Sequence, residues 1–200
     1  MKLTPTLALL ACVCTAGCFG GYTPLAFSVE GERIIANGVI DGTSQAAFEA
    51  VSAAHPQART LVLQNIAGSV DDVANVIFAR AVRAQGFDTV VPGDGMIASG
   101  GTDLFLAGVG RVLEPGACVG VHSWAASDYT ATDIPRSDPE HERYLTYYDE
   151  MGIARAFYWY TIEAAPAEEI YWMRAEEVAQ YALTTQPVTR LSQGATCDAR

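Results

Sequence analysis

Lysine is almost missing from this chain. Lys2 is the only one, and every other basic residue is arginine. Against 23 acidic residues, 12 basic ones leave a formal charge of −11. That balance excludes an extended basic surface, so nucleic acid is not an expected partner. Histidine is scarce too: His55, His122 and His141 are the whole set. They form no HExxH pairing and the cysteines form no CxxC, so no metal site and no cofactor are expected. Beyond the N-terminal stretch no apolar run is long enough to span a bilayer. Internal repeats and low-complexity segments are also missing.

What is present is an ordinary globular composition, 200 residues with 50% apolar and 18% charged side chains. One domain is the expectation for that length. The first 18 residues, MKLTPTLALLACVCTAGC, pair a lysine with an apolar run and small residues before a cysteine, the pattern of a secretory signal. The ending Thr15-Ala16-Gly17-Cys18 resembles a bacterial lipoprotein box, which would make Cys18 the lipidated first residue of the mature protein. A cleaved signal without lipid and an uncleaved anchor are the alternatives. The expected division is therefore a signal over 1–18, a linker over 19–25 and a single domain over 26–200, placed in the periplasm or cell envelope. With Cys12 and Cys14 removed and Cys18 lipidated, Cys118 and Cys197 remain. An oxidising compartment invites a disulfide between them, with two free thiols as the alternative.

Short β-rich and helical segments alternate along the chain. Strands are expected at 27–29 and 33–40, 60–64, 88–91, 111–113, 118–122 and 184–190. Helices are expected at 43–54, 69–85, 100–107, 140–150, 154–164, 168–172 and 175–183. In the second of these helices Ser69 would cap, and Val70, Val73, Ile77 and Ala81 would form the buried face. His141, between glutamates, reads as a solvated surface residue, and the run Phe157-Tyr158-Trp159-Tyr160 as core. Alternation of this kind implies an α/β fold with a largely parallel sheet flanked by helices.

Three pieces carry chemistry. Ile66-Ala67-Gly68-Ser69 follows a strand and opens a helix. Ala98-Ser99-Gly100-Gly101 is a second turn opening a helix. Gly120-Val121-His122 is a strand end. A serine hydroxyl is a weak nucleophile until an imidazole takes its proton. A turn at a helix N-terminus exposes the hydroxyl and presents free N–H groups that can hold an oxyanion. Taken singly, Ser99 is also a plausible helix cap and His122 a core histidine.

In order and spacing these pieces resemble the Clp-type proteolytic subunit and crotonase-like superfamily, particularly its exported bacterial members. The resemblance runs from about Ile35 to Thr185. It implies a Clp-protease/crotonase-like fold with Ser99 as nucleophile and His122 as base. The N–H groups of Gly100 and of Ala67 or Gly68 would form the oxyanion hole. The sequence departs from the family pattern at Ile66 and Ala67, where a proline and a glycine are usual. The aspartate that completes the family's triad has no clean counterpart. Glu168 or Glu169 would orient His122, with Glu163 and Asp149 as further options. A serine–lysine dyad, used by a related group, is excluded because the mature chain has no lysine. Acyl-CoA chemistry is disfavoured, since no lysine is available to meet the phosphates.

The expectation is an exported serine hydrolase, most simply a peptidase, acting on a peptide or protein and attached to the membrane through a lipid. No ATPase partner is expected outside the cytosol, and a homo-oligomer would have to arise by self-association. The alternative is a catalytically inactive Clp-like envelope protein that serves as a binding or assembly module.

Overall fold

The computed structural model describes residues 21–200. The expected signal segment and Cys18 lie outside the described residues. The chain opens with a hairpin, β1 (Ala26–Glu30) and β2 (Arg33–Ile40), turned by Gly31 in the left-handed region. Part of the expected linker is already structure: Leu25 donates its N–H to the Val39 carbonyl and is buried. Helix α1 (Ser44–Ala54) leads to β3 (Thr60–Ser69), which pairs in parallel with β2.

β3 organises everything that follows. Its first half pairs with β4 (Asp88–Val91) and its second half with β5 (Met96–Ala98), so the sheet forks along one strand. β4 continues to β6 (Arg111–Leu113), while β5 continues to β7 (Cys118–Val121) and then to β8 (Tyr171–Trp172). All pairings are parallel except the first hairpin and β8. Helix α3 (Gly100–Leu106) sits in the fork and packs on β3, β4, β5 and β7. Its sequence, GGTDLFL, is apolar on nearly every side, and six of its seven residues are buried. A helix apolar all round can only be a core helix.

Helix α2 (Asp72–Ala84) corrects the sequence reading twice. β3 runs on through Ser69, so the cap is Asp71, whose carboxylate accepts from the Ala74 N–H. The buried face carries Asn75, Val76, Phe78, Ala79 and Val82, while Val70, Val73 and Ile77 are about half exposed. The aromatic residue decides the rotation. Phe78 packs against Phe48 and Phe27 with ring centroids at 5.4 and 6.3 Å, and Phe48 meets Phe87 at 5.1 Å. Burying Phe78 stabilises more than burying Ile77, by area and by aromatic contact.

After β7 the chain crosses a long loop and a 3-10 turn (Pro139–His141) into α4 (Glu142–Met151) and α5 (Arg155–Ala164). Phe157 and Tyr158 of α5 are buried as expected. His141 is not a surface residue. It is fully buried among Trp124, Tyr158 and Trp159, with Nδ1 2.5 Å from the Tyr158 hydroxyl. Residues 168–172, expected as a helix, form a turn and β8 instead. Helix α6 (Ala175–Gln180) follows. Residues 184–190, expected as a strand, have no regular structure, and the chain ends in α7 (Ala195–Asp198). Among the described residues no helix is long and apolar enough to cross a membrane.

Candidate active site

Ser99 stands between β5 and α3 with φ 52° and ψ −128°. Only one other non-glycine residue among those described, Ala182, has a positive φ. Such a backbone costs about 1–3 kcal/mol and persists only where its surroundings over-determine it. They do so here. The Ser99 N–H donates to the Gly120 carbonyl at 3.1 Å, and the Thr102 hydroxyl donates to the same oxygen at 2.8 Å. From below, the buried Asn75 amide donates to the Gly100 carbonyl at 3.0 Å. Ser99 occupies the N-cap position of α3, but its side chain makes no capping bond. Its conformation instead lifts the hydroxyl out of a strand-to-helix turn, as strained nucleophile turns do.

Gly100 opens α3, so its N–H is an orphan donor of the first turn. The reason for glycine there is internal. A Cβ would sit 2.5 Å from Ser69 Oγ and 2.7 Å from Asn75 Nδ2. Gly68, at the end of β3, has φ +147°, and a Cβ on it would meet Ser99 Cβ at 3.1 Å. The end of β3 therefore lies directly against the serine. Ala67 is next to it and exposed.

His122 follows the last residue of β7, half-buried. Its Nδ1 lies 2.9 Å from the Ala167 carbonyl oxygen. A carbonyl only accepts, so Nδ1 carries the proton and Nε2 keeps its lone pair. That is the tautomer a general base requires. Ser99 and His122 line one cavity of about 40 Å³.

None of the carboxylates expected beside His122 reaches it. Glu168 and Glu169 are exposed on the turn that supplies the Ala167 carbonyl. Glu163 pairs with Arg136, and Asp149 with Arg155 at 2.7 Å. The chain holds the imidazole by its backbone where the family pattern would use an aspartate.

The cavity also contains groups that were not singled out as site residues. Asp103, four residues after Ser99 on α3, accepts from the Tyr148 hydroxyl at 2.7 Å. Asp72 accepts from Tyr144 at 2.5 Å and from Ser69 at 2.6 Å. Burial pushes the Asp103 carboxyl up to about 7, the Tyr148 hydrogen bond opposes this, and the charge of Asp72 adds to it. Burial likewise raises Tyr144, reinforced by Asp72, and lifts Tyr158 to about 12. A lone acid in the otherwise apolar α3 was the signal available in the sequence. Among the described residues no group of His, Cys, Asp and Glu is placed to hold a metal ion.

The strained turn makes its own prediction. Ser99→Gly removes the backbone strain but adds unfolded-state entropy of about 0.4–1 kcal/mol. The net expected gain is about 1 kcal/mol, or roughly 3 °C in thermal unfolding. Ser99→Ala keeps the Cβ and is expected to leave the midpoint unchanged.

No family model matches the chain, and no curated protein matches it in sequence. Solved structures do. An enoyl-CoA hydratase/isomerase from Marinobacter aquaeolei is similar at a TM-score of 0.53 and 10% identity, over 88% of this chain and 72% of that one. An enoyl-CoA hydratase/isomerase from Cupriavidus metallidurans CH34 is similar at 0.51 and 13% identity, over 91% and 72%. The 1510-N membrane-bound stomatin-specific protease in complex with a substrate peptide gives 0.49 and 12% identity, over 80% and 75%. At such identities the likeness is one of fold: the chain shares the α/β fold of these enoyl-CoA hydratase/isomerases, a largely parallel sheet flanked by helices.

Proposed function

We propose that this chain is an exported serine hydrolase that cleaves peptide bonds. The observation that supports this reading best is the locked, positive-φ Ser99 sharing a cavity with a His122 whose tautomer leaves Nε2 free to accept a proton. In the reaction Ser99 Oγ forms a bond to the substrate carbonyl carbon while its proton passes to His122 Nε2. The oxyanion is held by the N–H groups of Gly100 and of Gly68 or Ala67. The C–N bond then breaks as the proton moves from His122 to the leaving amine. Water, deprotonated by His122, releases the acid and restores the hydroxyl.

Export rests on the N-terminal segment and on the Cys118–Cys197 disulfide, which belongs in an oxidising compartment. Lipid attachment at Cys18 is part of the same proposal.

One observation favours a different reading. His122 has no carboxylate partner, so the imidazolium would form with less stabilisation than in a complete triad. A protein that kept this fold as a binding module would tolerate that loss. A fluorophosphonate probe separates the two. Mass-spectrometric detection of an adduct on Ser99, lost in Ser99→Ala, is the expected result. A folded protein that stays unlabelled between pH 6 and 9 would exclude the hydrolase.

A further inference from the structure

We propose that the cavity beside Ser99 is a specificity pocket for a cationic side chain of the substrate, of the lysine or arginine type, selected by Asp103. The proposal rests on the hydrolase reading and names its substrate class.

The cavity brings Ser99 and His122 together with Asp103, Asp72, Tyr144 and Tyr148. Asp103 lies four residues beyond Ser99 on α3, about 6 Å along the helix axis. A side chain that enters beside the nucleophile and extends along α3 needs a stem of that reach to meet the carboxyl. Lysine and arginine have such stems and end in donors.

One acceptor in the cavity has no partner. Asp103 Oδ1 accepts from Tyr148, while nothing among the described residues hydrogen-bonds its Oδ2. Among the described residues neither Asp103 nor Asp72 forms an ion pair, and no arginine lines the cavity. The arginines of this region are engaged elsewhere: Arg80 with Glu150, Arg83 with the Leu106 and Met151 carbonyls, and Arg143, which lines the neighbouring cavity with Asp72 and Tyr144, with Glu140 at 3.7 Å. Burial raises Asp103, and the charge of Asp72 adds to the rise. An incoming cation would favour the ionised carboxyl and bond Oδ2 with a charge-assisted hydrogen bond.

The aromatic wall suits the same ligand. Tyr144 stacks between Trp124 at 6.0 Å and Tyr158 at 5.5 Å, all three lining the cavity. Stacking covers both faces of Tyr144, so what the wall offers is apolar ring surface for the methylene stem of such a side chain. The chain's overall charge of −11 favours approach of basic substrates at long range. An apolar side chain would leave Asp103 Oδ2 without a partner, and an acidic one would be repelled.

Two phosphonate esters with the same warhead test this, one carrying a lysine-like side chain and one its neutral norleucine isostere. Ser99 is expected to be modified at least tenfold faster by the basic probe. Asp103→Asn and Asp72→Asn are each expected to bring the two rates to within threefold. Equal rates in the unmodified protein would overturn the cationic pocket while leaving the hydrolase standing. If neither probe nor the plain fluorophosphonate reacts, the hydrolase reading fails, and butylamine binding decides the pocket. Its titration into Ser99→Ala, followed by Trp124 fluorescence, should saturate where butanol does not and should weaken in the Asp72→Asn background. Indifference to both ligands would overturn the proposal, including where Asp103→Asn does not fold.

Discussion

Replacing His122 with alanine is expected to slow phosphonylation of Ser99 about a thousandfold, the size of a lost general base. No other imidazole can substitute. His141 is sealed among aromatic rings against Tyr158, and His55 ends α1. The companion experiment separates two ways of holding the base. If an acid oriented His122, the double variant Glu168→Gln, Glu169→Gln would lose most of the activity. Both glutamates are exposed, and the His122 bond goes to the backbone of Ala167. The double variant is therefore expected to react within about twofold of the unmodified protein, as surface changes do. The rate of each variant with the plain fluorophosphonate decides the point. A large loss in the glutamate pair would mean that an acid reaches the imidazole during turnover. A carbonyl fixes the tautomer as firmly as a carboxylate does, but it brings only a dipole to the imidazolium. The expected consequence is a slow enzyme with a correctly aligned base.

The two candidate residues, Ser99 and His122, are conspicuous in the sequence because each stands at a change of periodicity. Ser99 falls where a short strand gives way to an apolar helix, and His122 at the end of a β-rich run. The strand that supports the serine was legible only in part. Asn65 to Ser69 alternate weakly, so β3 read as ending at Gln64, although it continues to the site. Helix α2 carries apolar residues on two faces, and periodicity alone favoured Val73 and Ile77. The face that won contains Phe78 and also Asn75, a polar residue whose value lies in a bond to Gly100, 25 positions away. Such a partner leaves no local trace. β8 is two residues long, too short for any period, and its position against β7 sets the Ala167 carbonyl beside His122. Asp103 looks like an ordinary acid in the first turn of a helix, where the dipole welcomes it. Only the packing of α4 and α5 over α3 turns it into a cavity wall.

Removing the Cys118–Cys197 bond, by Cys118→Ser with Cys197→Ser, is expected to cost about 4 kcal/mol. The two cysteines are 79 residues apart, and closing a loop of that length restricts the unfolded chain by about this amount. For a protein of this size the midpoint should fall by roughly 8–16 °C. The native contacts argue for a cost near the full value. Cys118 and Cys197 are buried with Met96 and Ala98 in a small apolar cluster, covered by Trp172 and separate from the main core. Up to Ser192 the tail is anchored by backbone bonds to Gly116 and Ala117 and by buried Leu191, and beyond it by few contacts. Trp172 donates to Asp198 at 2.7 Å, and Arg200 donates to the Gly95 and Gly116 carbonyls at 2.7 and 3.1 Å. Without the covalent bond these polar contacts must compete with water, and each is worth only about 1 kcal/mol. Thermal unfolding with and without reductant measures the effect, and the double variant should no longer respond to reductant. A loss below about 1 kcal/mol would mean that the tail docks by packing alone. The outcome also bears on the site, because Ala98 belongs to this cluster and directly precedes Ser99. A tail that peels away would loosen the outer face of β5, one of the two strands whose positions hold the serine in its strained turn. Reactivity of Ser99 is therefore expected to fall together with stability when the bond is opened.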